Sequence, residues 1–240
     1  MRCMRGRSKL RAKASRFAAY GAFVAETVGG PLATSTAALS ALTFLLVLAF
    51  PPAGGPVSGL PVLLYLTSVG YSVVALAGAS AMVSDLKGPA QVFLSQPISR
   101  TAYALAWLSA LLTSALATFS AFLLSFAVID PILLRAVDPI LAAAWLLDAA
   151  ILALALLAAA VLARRASVLV ALWAAMTFGS AFLLALPSEH LRRAVAVARP
   201  LYSALSGWGA AGGPPLAESA LLAAALALLL YWLARARLEV

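Results

Sequence analysis

The chain has 240 residues, 64% of them hydrophobic and 10% charged, with a mean hydropathy of +1.03. Soluble domains run at about 45–50% apolar and about 25% charged, so this composition excludes a water-soluble globule and with it a soluble enzyme. Seventeen Lys and Arg against eight Asp and Glu give a formal charge of +9, which suits nucleic acid or an anionic membrane surface until the charges are placed.

Residues 1–26 carry Arg2, Arg5, Lys9, Lys13 and Arg16 on one side of a helical wheel, beside a narrow apolar stripe of Cys3, Leu10, Ala14 and Phe17. The pattern predicts a basic amphipathic helix lying in the membrane interface. Anionic headgroups attract such a helix by about 1 kcal/mol per basic residue. The apolar stretch that follows is too long for a signal-peptide core and no small-residue cleavage site precedes a soluble domain, so the segment is expected to be retained. No stacking platform accompanies the arginines, and no nucleic-acid partner is expected.

A membrane span needs about 20 apolar residues to cross about 30 Å of hydrocarbon, and the intervals between charges supply them. Thr27 to Ser84 is uncharged and long enough for two spans, with Pro51-Pro52-Ala53-Gly54-Gly55-Pro56 as the breaker between them. The expected helices are 31–50 and 60–83. A loop over 84–100 leads to a third helix, 101–129. The fourth, 139–163, is interrupted by Asp148 and ended by Arg164-Arg165, and the fifth, 166–187, is stopped by Pro187. Residues 188–215 form an outer segment in which Leu191, Val195, Ala198, Tyr202 and Leu205 recur at helical spacing, and a sixth helix covers 216–234. The fold class is therefore all-α: one polytopic membrane domain with six transmembrane helices. With the N-terminus in the cytoplasm, the inner segments hold every basic residue except Arg135, Arg192, Arg193 and Arg199. The positive-inside bias then puts both termini in the cytoplasm.

No nucleotide-binding loop, metal-ligand spacing or Ser, His, Asp arrangement is present. The single Cys3 and single His190 leave neither an internal disulfide nor a histidine cluster. Intrinsic catalysis, a metal and a cofactor are not expected. Two places carry chemistry. In the inner loop, Pro89 suits the first turn of a short helix, Pro97 stops it and Ser99 can cap the next span. Val92, Phe93 and Leu94 are then left uncovered at the inner membrane surface, where they either dip into the headgroups or fill a groove on a cytoplasmic partner. The second place is Asp148, whose burial at a helix centre costs about 2.5–3.5 kcal/mol. It is either a packing carboxylate hydrogen-bonded to a hydroxyl such as Thr43 or Ser120, or a group used in transport.

The loop also carries a resemblance. Asp85, Gly88, Leu94, Ser95, Pro97, Ile98, Ser99 and Arg100 form a pattern that resembles the inner loop of ABC-2 type transporter permeases, the membrane subunits of ATP-binding-cassette exporters. The match covers about 16 residues; the basic amphipathic start, six spans and long outer segment agree with it. The resemblance implies that Asp85, Gly88, Val92, Phe93, Leu94, Ser95, Pro97, Ser99 and Arg100 couple to a cytoplasmic ATPase subunit, with Phe93 in its cleft. It implies a second permease subunit, identical or paralogous, residence in the cell membrane, and export along helices 1, 2 and 5. ATP hydrolysis would belong to the partner. Two positions depart from the family pattern: Pro89 replaces a frequent threonine, and Trp107 stands where a lysine is common. Two other readings of the chain are a channel or secondary carrier using Asp148, and a membrane-embedded enzyme. The enzyme would need clustered His, Asp or Glu near one interface, which the sequence lacks.

Overall fold

The computed structural model describes Glu26 and residues 32–49, 60–87, 100–129, 139–174 and 216–237, and all regular structure among these residues is helical. In chain order the described helices are α1 (Ala33–Ala49), α2 (Leu60–Lys87), α3 (Arg100–Ile129), α4 (Pro139–Ala163), α5 (described over 166–174) and α6 (Leu216–Arg237). Four of them, α2, α3, α4 and α6, are long and apolar enough to cross a membrane, and α1 is a shorter apolar helix. Leu and Ala fill these segments and are good helix formers. In lipid the backbone must satisfy its own N–H and C=O groups, which a helix does within one segment. The expected 1–26 helix and 188–215 segment lie outside the described residues, apart from Glu26, as does the second half of the expected 166–187 span.

Two boundaries differ from expectation by three residues or more. α2 runs to Lys87 rather than ending at 83, so Asp85 and Lys87 belong to its last turn and not to the loop. α6 likewise continues past 234 to Arg237. Charge marks where a helix leaves hydrocarbon, not where it stops, and a basic residue in the last turn favours the helix by complementing its dipole. For α2 the stop signal in the sequence is Gly88-Pro89, since a residue preceding proline is pushed out of the helical region. The connection to α3 is thus confined to 88–99, and Arg100 opens α3.

The α4–α5 junction is a two-residue turn. Arg164 has φ 50°, and its N–H donates to Ala160 O at 3.0 Å, which closes α4 with a left-handed cap. Val168 and Leu169 N–H then reach Arg165 O at 3.2 and 3.4 Å to start α5. A left-handed conformation costs a residue with a Cβ roughly 1–2 kcal/mol. Arg164→Gly is therefore expected to stabilise the protein by about 1 kcal/mol, and β-branched Arg164→Val to destabilise it by at least as much, read as opposite shifts of the unfolding midpoint in detergent.

α3 packs against α1, α2, α4 and α6; α2 packs against α1, α3 and α4; α6 lies outside, on α4 and α3. Glycines permit the close contacts of α2. A Cβ at Gly78 would stand 2.7 Å from Leu111 Cδ2 and 3.4 Å from Leu32 Cδ1, and one at Gly70 would collide with the Leu39 side chain. From Gly70 to Gly78 the contact retreats from Leu39 in α1 to Leu32 just before it, so α1 and α2 are antiparallel. The large buried side chains Tyr71, Tyr103, Phe122, Phe126 and Trp145 fill the interior, while Leu221, Leu228 and Trp232 of α6 are exposed. For a helix facing lipid that exposure carries no penalty, because hydrocarbon tails are as apolar as leucine.

Candidate functional site

Hydroxyls along α2 tie the bundle together. Ser68 donates to Leu64 O at 2.8 Å and accepts from the Trp145 indole at 2.9 Å. One turn on, Ser72 donates to Val69 O at 2.6 Å and accepts from the Trp173 indole at 3.0 Å. Each serine uses its proton on its own helix and its lone pair across the interface, so both are satisfied without water. Tyr71 spans to α3, donating to Leu111 O at 3.2 Å. Thr36 and Ser114 share a 2.7 Å bond between α1 and α3; because Thr36 gives its proton to Leu32 O at 2.7 Å, Ser114 is the donor.

These bonds also fix directions. Trp145 precedes the Arg164-Arg165 turn and Trp173 follows it, yet they reach neighbouring turns of α2. That requires α4 to run parallel to α2, with the turn near the Lys87 end. The turn therefore lies at the end of the bundle where α2 stops and α3 begins. There Asp85 on α2 faces Tyr103 on α3 and the carboxylate of Glu26. Trp107, one helical turn after Tyr103, is buried. Arg164 and Arg165 are exposed at the tip of their turn, and Lys87 is exposed at the end of α2.

Of the residues that the resemblance implies in coupling, Asp85 sits in the last turn of α2 and Arg100 is the first residue of α3. Gly88, Val92, Phe93, Leu94, Ser95, Pro97 and Ser99 lie outside the described residues. The Asp85–Tyr103 approach joins the last turn of α2 to the first turn of α3.

Asp148 lies about 14 Å along α4 from its first residue at 1.5 Å per residue. It is 4% exposed, and its Oδ2 has no hydrogen-bond partner. The expected hydroxyl contacts are absent among the described residues: Ser120 is exposed and Thr43, though buried, is not bonded to Asp148. One turn before it, Trp145 belongs to an aromatic group. Its ring stacks on Phe119 at 5.0 Å and 23° and meets Tyr71 at 5.9 Å, while Phe119 is 5.9 Å from Phe122 and Phe122 is 4.8 Å from Phe126. Sequence reasoning missed this group. The signal was there, a tryptophan three residues before the lone intramembrane aspartate, but an aromatic in an apolar run looks like any other core residue.

No family model, curated protein or solved structure matches this chain.

Proposed function

We propose that the chain is the permease subunit of an ABC-2 type exporter in the cell membrane, with both termini cytoplasmic, acting as a dimer and driven by a separate ATPase subunit. The observation that carries this reading is the run from Asp85 to Arg100, with its Gly88, Leu94-Ser95 and Pro97-Ile98-Ser99-Arg100 pattern. The reading is supported by α2 ending at Lys87 and α3 beginning at Arg100, two long helices cross-tied by Tyr71 and Leu111. A short connection anchored at both ends can pass a displacement into two helices at once. Substrate would move along α1, α2 and α5, and the chain itself would not hydrolyse ATP. The Asp85–Tyr103 approach supports the coupling role, because it would keep the anchors together when the loop is pushed. A second reading, a channel or carrier that uses Asp148 without an ATPase, draws on the unpartnered Oδ2. Purification in mild detergent separates the two: a co-eluting ATP-binding-cassette subunit is expected, and a chain that transports after elution with no ATPase would overturn the proposal.

A further inference from the structure

Asp148 combines two features that point to a ligand. The residue is 4% exposed, its Oδ2 is buried without a hydrogen-bond partner, and no ion pair reaches it among the described residues. The described basic residues Lys87, Arg100, Arg164, Arg165, Arg235 and Arg237 all stand at helix ends, and Arg164 is about 24 Å away along α4. An ionised carboxylate in such a place needs a positive partner. The protein's described side chains do not supply one.

The second feature is the aromatic group beside it. Residues three apart on a helix are neighbours, about 5–6 Å between Cβ atoms, so Trp145 adjoins Asp148, and Tyr71, Phe119 and Phe122 extend that aromatic surface. Aromatic faces attract cations through their quadrupoles, most strongly where water is excluded. A carboxylate one helical turn from an indole that belongs to such an aromatic group complements a charged group carried on a large apolar body. A neutral polar ligand finds less to recognise: the hydroxyls of Ser68, Ser72, Thr118 and Ser125 already donate to their own backbones.

We propose that Asp148 and the Trp145 aromatic group form an occluded intramembrane site for a lipophilic monovalent cation, an amine or quaternary centre bearing apolar substituents. This rests on the permease reading for its role, since it names the substrate class, but not for the binding itself. With Asp148 at 4% exposure, the site is closed, and the cation enters only when the helices around α4 separate.

The test is equilibrium binding of radiolabelled tetraphenylphosphonium to the purified full-length chain in lipid nanodiscs, with neutral triphenylphosphine oxide as control. Saturable binding is expected. Asp148→Asn should weaken it by about thirtyfold or more, as loss of one member of a buried charge pair does. Asp148→Glu should retain most of it, and binding of the neutral probe should not respond to either change. Should Asp148→Asn fail to assemble, the wild-type chain still decides. Modification of Asp148 by dicyclohexylcarbodiimide, read by peptide mass, should be suppressed by the phosphonium ion and not by the phosphine oxide. Absence of saturable binding, equal binding by Asp148→Asn, or labelling indifferent to the cation would each overturn the site. Co-elution of an ATPase is read separately: its absence alongside intact cation binding would sink the permease reading and leave the site standing.

Discussion

Phe93→Asp is expected to leave the protein inserted in the membrane and strip it of its ATPase. On the permease reading Phe93 enters an apolar cleft of the partner, and an aspartate there is a buried charge without a counter-ion, costing several kcal/mol. A shift of that size lowers the affinity by more than about a hundredfold. On a loop resting against lipid headgroups the same change would cost almost nothing, because the carboxylate turns to water. Co-purification from the two membranes, scored against equal amounts of inserted chain, distinguishes these outcomes. Undiminished recovery of the ATPase with Phe93→Asp would mean that Phe93 is not in the contact.

Trp145→Ala is expected to have the largest effect on the bundle itself. Trp145 is 2% exposed, stacks on Phe119 and donates to Ser68. Truncating a buried tryptophan leaves a cavity and costs about 3–5 kcal/mol. Trp145→Phe keeps most of the packing and removes the hydrogen bond, worth about 0.6–2 kcal/mol in a membrane. Ser68→Ala should match Trp145→Phe, since both break the same bond. Unfolding midpoints in mixed micelles give the order, and a Trp145→Ala protein no weaker than Ser68→Ala would show that the indole serves only as a donor.

Much of the helical framework is legible in the sequence because hydrocarbon allows so few structures. α4 occupies the expected 139–163, with a proline able to begin a helix and a pair of arginines able to end its apolar stretch. α1 and α3 differ from expectation by a residue or two. The errors at the ends of α2 and α6 share one cause, since Asp85 and Arg235 leave the hydrocarbon while remaining helical. Rotation of each helix about its axis was not legible. When every face is apolar no periodicity marks the packed side, so the partners of Trp145, Tyr71 and Trp173 appear only in three dimensions. Asp148 was visible as a lone charge, but its lack of a hydroxyl partner was not, because that depends on which face of α3 carries Ser120.

The helix lengths bind the protein to its lipid. At 1.5 Å per residue α2 and α3, of 28 and 30 residues, measure about 42 and 45 Å, against about 30 Å of hydrocarbon and about 40–45 Å from headgroup to headgroup. Upright, they reach across both headgroup layers, which sets Asp85 and Lys87 among the phosphates. A thinner bilayer can receive them only at a tilt. The bonds from Tyr71, Ser68 and Thr36 make that tilt a property of the whole bundle rather than of one helix. Acyl-chain length thus sets the angle at which the last turn of α2 and the first turn of α3 leave the hydrocarbon.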